Sequence, residues 1–339
     1  MTNNLGWLAL TPEEPLEPDL PIVDPHHHLW DRPGSRYLLD ELVADLHGHN
    51  VVQTVFIECG AMYRADGAEE FRVVGETEFV QGVAAMSASG RHGALRACAG
   101  IVGTADLLLG ERVAPVLEAQ IAASPNRFRG IRHRAAWAEP GTLPGVPAPP
   151  APPRPDTPPR LLADPNFRRG FALLRTYGLS FEAWLYHPQL PEVADLARAF
   201  PGTTIILNHL GGPVQSGAFA GRRDEIFAAW KRDLAAVARC ENVVLKVGGI
   251  QMPVNGFGWH ERPRPPTSDK LLAENRAWYL EAIERFGPAR CMFESNFPVD
   301  RASCSYTVLW NQFKKLSAAF SPDERAAMFG GTARRVYRL

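Results

Sequence analysis

The chain has 339 residues, 45% of them hydrophobic and 22% charged, with a formal net charge of -1. That composition is ordinary for a globular protein with one large core, and it supplies no basic field for nucleic acid. No apolar run is long enough to span a bilayer. The opening, MTNNLGWLALTPEEP, lacks the basic-then-apolar layout of a secretory signal. Five cysteines with no C-x-x-C pair fit neither a disulfide framework nor a cysteine zinc site. The expectation is a cytoplasmic protein with buried, reduced thiols. It acts on a small molecule, has no nucleic-acid or membrane partner, and leaves room for a homo-oligomer.

Short β-rich runs alternate with helical patterns along the chain. The runs are 22–26, 51–58, 96–102, 128–133, 179–185, 203–209, 243–248 and 291–296. Between them, segments 108–123, 191–200, 222–240 and 269–286 place apolar residues three and four apart, the helical period. Eight such units predict a parallel sheet closed into a (β/α)8 TIM barrel, one α/β domain over residues 1–339. An open doubly wound sheet would carry a Gly-rich phosphate loop after its first strand, and this chain has none. Residues 139–160, EPGTLPGVPAPPAPPRPDTPPR, are too proline-rich for helix or central strand. Following the fourth strand, they read as a loop insertion on the barrel's C-terminal face. The loop is either an inert excursion, or a stiff lid or oligomer contact.

In such a barrel the chemistry sits at the C-terminal ends of the strands. The first strand runs into VDPHHHLWD, where strand alternation puts Asp24, His26 and His28 on one face and turns His27 away. Two inward imidazoles make poor core and can share one metal ion or one substrate oxygen. Strand two ends in Glu58 and strand four in Arg132 and His133. His133 serves equally as a hydrogen-bonded structural residue, and Glu58 as a buried partner of Arg132. Glu182 lies inside strand five, with His187 just past it, and His209 is at the tip of strand six. Lys246, inside strand seven, is a counter-ion or a substrate hook. His260, Arg262 and Arg264 follow in GWHERPRPP, as a basic wall or as a solvated loop. Strand eight ends with Glu294 and Asn296 on one face and Asp300 beyond.

Four motifs together resemble a known family. They are D-x-H-x-H-x-W at Asp24, His26, His28 and Trp30; G-I-R at Gly130 to Arg132; N-H-L-G at Asn208 to Gly211; and S-N-F-P at Ser295 to Pro298. With the terminal GTARRVYRL, they make the chain, over about residues 22–339, similar to the amidohydrolase 2 branch of the amidohydrolase superfamily. That branch holds lactonases and decarboxylases of aromatic acids. The resemblance implies a hydrolase that opens a lactone or related cyclic ester, and the positive groups expected at the mouth point to a small anionic substrate. His26, His28 and His209 would hold a divalent ion, zinc foremost, since neutral imidazole suits zinc. His187 would be a fourth ligand or proton shuttle. Arg132, Lys246, His260, Arg262 and Arg264 would grip a carboxylate or sulfonate. Members of the branch differ in needing a metal, so metal-independent catalysis stays open.

One position departs from the family pattern. Its strand-eight aspartate, which takes a proton from the attacking water, is Asn296 here, and an amide has no titratable group near neutral pH. Glu58, Asp300, Glu294 or His187 could act as base instead. Alternatively, the metal alone could lower the water's pKa from about 15.7 to about 7, leaving Asn296 to orient it. The third outcome is a catalytically silent barrel that only binds a small molecule. Decarboxylation is the enzymatic rival, though it generally uses the same missing aspartate.

Overall fold

The computed structural model describes residues 4–143 and 157–339. Eight parallel strands follow one another in sequential order: β1 (Ile22–His27), β2 (Val51–Ile57), β3 (Arg96–Gly103), β4 (Phe128–Ile131), β5 (Ser180–Ala183), β6 (Ile205–Leu207), β7 (Val243–Gly248) and β8 (Cys291–Glu294). The sheet comes round on itself just past β8. There Asn296 N–H donates to the His26 carbonyl at 2.9 Å and His28 N–H donates to the Phe297 carbonyl at 2.8 Å. This is the (β/α)8 barrel expected from the sequence. Several strands are shorter than their apolar runs, so Glu58, Arg132, His209 and Asn296 lie one or two residues beyond the ladder.

The helical patterns form Leu190–Ala199, Arg223–Ala238 and Ser268–Phe286. The segment 108–123 begins instead as a 3-10 stretch, because Gly110 takes φ 61°, and turns α-helical only at Ala114–Ala123. Helices Val74–Ala88, Pro165–Thr176 and Tyr306–Ser317 complete the ring. Pro165–Thr176 starts where the Asp164 carboxylate accepts from the Asn166 and Phe167 amides, satisfying two otherwise orphaned donors. None of the described helices is long and apolar enough to cross a membrane.

Two apolar layers follow from strand alternation. Outward residues such as Phe56, Ile101, Phe181, Leu245 and Phe293 pack under the helices. Inward residues Val23, Val55, Ile57, Val102, Ile206, Val244 and Met292 fill the lower barrel. The last helix, Thr332–Tyr337, closes that end by adding Ala333 and Tyr337 to the inner cluster. Above this apolar floor the interior turns polar. Of the proline-rich stretch, 144–156 lies outside the described residues. The near arm lies against the C-terminal face, with Leu143 packed on a cluster of Ala136, Tyr186, Val214 and Val254.

Candidate active site

Strand β1 does not alternate as the sequence implies. Val23 points into the barrel. Asp24 points out, accepting from the hydroxyl of Tyr306 on the helix layer at 3.1 Å and from the Ser295 amide. His26 points in again. A register shift between Asp24 and His27 inserts the extra step. Asp24 therefore does not share a face with His26 and His28, which corrects the simple period-two expectation. Burial raises the Asp24 carboxyl to about 6. His27 is turned away as expected, bonded to Thr54 Oγ1 at 2.8 Å.

His26 and His209 come together at the mouth, and His28 stands beside His26 without joining the close donor set. His28 Nδ1 lies 2.8 Å from the Ile57 carbonyl, so that nitrogen donates and Nε2 accepts. His26 Nε2 is 3.3 Å from that acceptor. The His26 and His209 rings sit with centroids 4.5 Å apart. Burial, then the charge of Lys246, pushes His26 well below the usual histidine range. Burial and Arg132 do the same to His28, so both rings are neutral. His209 takes φ 53° after β6, with the edge of Trp184 against it. The backbone opposite must be bare: a Cβ at Gly249 would stand 1.8 Å from His209 Nδ1.

Glu294 ties the cluster together. Its Oε1 accepts from His209 Nδ1 at 2.7 Å and from the His209 amide at 3.2 Å. Its Oε2 lies 2.8 Å from His26 Nδ1, yet no donor is aligned on it. One donor atom each from His26, His209 and Glu294 falls within 4.8 Å of the others. Around this point stand two more ion pairs. Lys246 Nζ is 2.8 Å from Glu182 Oε2 and 3.2 Å from His26 Nδ1, with both charged groups fully buried. Arg132 Nε donates to Glu58 Oε1 at 2.8 Å, Nη2 to the Glu58 carbonyl, and Nη1 reaches to 3.5 Å from His26 Nε2.

These groups fit a cation. Glu58, Glu182 and Glu294 give three carboxylates against the two cations Arg132 and Lys246, so one negative charge is left over. The orphaned Glu294 oxygen faces an imidazole nitrogen, and neutral histidines with a carboxylate are a zinc-type donor set. Glu294 belongs to this close donor group and His187 does not.

Other sequence candidates lie elsewhere. His187 accepts from the Val214 amide through Nδ1 at 3.2 Å and meets Phe219 edge-on. Burial lowers it to about 4. His260, Arg262 and Arg264 are exposed, and Arg262 stacks on Trp259 at 3.9 Å. His260 lies 3.7 Å from Glu261, and these three groups stand on the outside rather than in the buried cluster. Lys246 is fully buried and paired with Glu182, the counter-ion arrangement of the two the sequence left open. His133 is structural, accepting from the Leu107 amide. Asn296, at φ 56°, gives its Nδ2–H to Asp300 Oδ1 at 2.9 Å, and burial raises Asp300 well above the carboxylate range.

The barrel mouth thus collects three histidines and a carboxylate at strand ends, and comparison with known proteins places it. Residues 23–339 match the Amidohydro_2 model, described as amidohydrolase. The uncharacterized protein y4mH of Sinorhizobium fredii is 32% identical over 343 residues, 95% of this chain and 99% of that one. The chain belongs to the amidohydrolase family. An L-fucono-1,5-lactonase of Burkholderia multivorans is 30% identical over 177 residues, 52% of this chain and 57% of the lactonase. An amidohydrolase structure from Burkholderia multivorans with bound zinc shares the fold at a TM-score of 0.70 and 24% identity, covering 94% of this chain and 99% of that one.

Proposed function

We propose that this chain is a metal-assisted hydrolase that opens a lactone or related cyclic ester. The observation that carries the proposal is the buried Glu294 Oε2, which faces His26 Nδ1 at 2.8 Å with no aligned donor. Lys246 Nζ, 3.2 Å from the same nitrogen, answers the imidazole, but Oε2 is left without an aligned donor. His26, His209 and Glu294 would hold a divalent ion, zinc foremost, with His28 Nε2 3.3 Å from His26 Nε2 beside them. When bound, such an ion supplies Lewis acidity toward an ester carbonyl and lowers the pKa of water toward about 7.

The protein's own groups supply the rest. Glu294 orients His209 through Nδ1, and it is the carboxylate nearest the histidines. Asn296 positions Asp300 and the β8 turn. Arg132 offers Nη1 beside His26, where it can meet a carbonyl oxygen or a substrate carboxylate. With Lys246 neutralised and the 260–264 loop exposed, any preference for an anionic lactone rests on Arg132. The relative named as a lactonase supports a cyclic ester as the substrate class.

The test is a panel of matched lactones, with and without a carboxylate or sulfonate. It is run on protein as purified, after chelation and after zinc reloading, with carbon dioxide monitored. Ring opening lost on chelation and regained with zinc is expected. Carbon dioxide release without ring opening would overturn the proposal in favour of decarboxylation. Ring opening indifferent to chelation would remove the metal.

A further inference from the structure

The foot of the barrel, where the strands begin, holds a cavity of about 230 Å³. It lies between the start of β3, the turn entering β4, helix Val74–Ala88 and the last residues of the chain. Four arginines line it: Arg96, Arg127, Arg129 and Arg338. No aspartate or glutamate is on the lining. Leu339 is, and even with its carboxylate counted the balance stays positive.

One of the four has a structural task. Arg129 Nε holds the Tyr337 carbonyl at 2.6 Å, while Nη1 and Nη2 reach the Phe128 and Asn126 carbonyls at 3.1 and 2.5 Å. Tyr337 gives its hydroxyl hydrogen to Glu182 inside the barrel, so Arg129 pins the helix that plugs the floor. The other three do not share this task. Arg96 Nη1 bends back onto the Ala94 and Leu95 carbonyls at 3.1 and 3.0 Å. Arg127 Nη1 donates to Gln81 Oε1 at 3.1 Å, and Arg338 Nη1 to the Gly178 carbonyl at 2.8 Å. These acceptors are neutral. They satisfy one nitrogen of each fork and cancel no charge. The Nε and Nη2 groups of Arg127 and Arg338 have no partner among the described residues, and none of the four arginines has a carboxylate there.

The like charges act on one another. Burial, then the charges of Arg338 and Arg127, brings the Arg129 guanidinium below its usual range. Arg338 also stands at φ 52°, the left-handed conformation that ends a helix most readily with glycine. The backbone there has no use for a long side chain. What arginine adds is a cation at the cavity.

We propose that this cavity binds a small, multiply charged oxyanion of the phosphate class, with Arg127 and Arg338 as its chief donors and Arg96 at the rim. Guanidinium forks match such oxygens two at a time, and an anion between them offsets the mutual repulsion. Bound there, it bridges the turn before β4 to the residue after the last helix, a second fastening of the floor beside Arg129. The site is independent of the chemistry at the mouth. The phosphate group comes either as the free ion or on a small monoester.

Isothermal titration calorimetry on the full-length, chelator-treated protein tests it, near neutral pH and at constant ionic strength set with sodium chloride. The probes are inorganic phosphate, glycerol 3-phosphate and, as a singly charged control, acetate. Wild type should bind one equivalent of phosphate in the millimolar range or tighter. Tighter binding of glycerol 3-phosphate marks a monoester as the occupant and weaker binding marks the free ion, and either supports the proposal. Arg127→Gln combined with Arg338→Gln should weaken phosphate at least about 10-fold. Arg239→Gln, at an exposed arginine outside the lining, should not. A second readout needs no substitution: phosphate should slow phenylglyoxal modification of Arg127 and Arg338 in wild type and leave Arg239 at its own rate, as peptide mass spectrometry reports. Absence of phosphate binding by wild type overturns the proposal. So does phosphate binding unchanged in the double variant, acetate binding as tightly as phosphate, or protection that spares both Arg127 and Arg338.

Discussion

Glu294 Oε2 and His26 Nδ1 face each other at 2.8 Å inside a barrel where both residues are fully buried, and no donor is aligned on the oxygen. An unanswered buried acceptor costs about 1–3 kcal/mol. Glu294→Gln turns the carboxylate into an amide whose N–H can donate to Nδ1, and it removes the unmatched negative charge. The metal-free protein is expected to melt at the same temperature or higher, while its metal content after purification without chelator drops at least about 10-fold. Element-resolved mass spectrometry and a melting curve check the two halves. Unchanged metal content would remove Glu294 from the ligand set.

Arg132 and Glu58 form a buried pair at 2.8 Å. Arg132→Met strands the Glu58 charge and should destabilise the protein by about 3–5 kcal/mol, whereas Arg132→Met with Glu58→Gln should recover most of that loss. Urea unfolding of both variants measures it. On the lactone panel, the double variant should lose rate on carboxylated members more than on neutral ones. Equal losses would leave no anion anchor in the site.

Asn296 donates to Asp300 at 2.9 Å. Asn296→Asp restores the residue usual in the family, but here it sets two buried carboxylates side by side, and they must share a proton. Their folded pKa values rise above the unfolded value near 3.9, so stability is retained at low pH and lost as pH rises through the raised values. The variant should therefore be less active, and increasingly less stable as pH rises above about 3.9. Asn296→Asp combined with Asp300→Asn rebuilds an amide–carboxylate pair and should regain stability. A single variant more active than wild type would show that this turn accommodates the acid.

His49 Nδ1 lies 2.9 Å from Lys314 Nζ, far from the barrel mouth, and Lys314 also donates to the Leu16 and Glu17 carbonyls. Burial, then the Lys314 charge, lowers His49 to about 3. The unfolded chain binds that proton near pH 6.5, so the contribution is intact above 6.5 and is lost as pH falls toward 3, at no more than about 1.4 kcal/mol per pH unit. His49→Asn keeps an acceptor for Lys314 and removes the titration. The difference in urea midpoint between pH 7 and pH 5 should be smaller in the variant than in wild type.

Much of this architecture is visible in the linear chain. Strand ends place His26, His28 and His209 because a parallel barrel delivers every strand's C-terminus to one rim. Glu294 was also within reach, two residues before Asn296 on the same strand. What escaped was tertiary. The bulge that throws Asp24 outward has no period-two signature. Whether Arg262 meets the rim or its own Trp259 depends on how a loop folds back. Tyr337 sits in a helix at the far end of the chain and meets Glu182 only because that helix plugs the barrel from below.

The barrel closes through Asn296 N–H to the His26 carbonyl and His28 N–H to the Phe297 carbonyl. The seam of the whole sheet is therefore stitched in part by the peptide groups of His26 and His28, whose side chains stand at the candidate site. Opening this seam and dispersing the histidines are one event. The amide protons of His28 and Asn296 should exchange with solvent together, at a rate that reports the fraction of molecules whose seam is open at any instant. A substitution that slows turnover only by loosening the seam would speed both exchanges in proportion, and one that alters chemistry alone would leave them untouched.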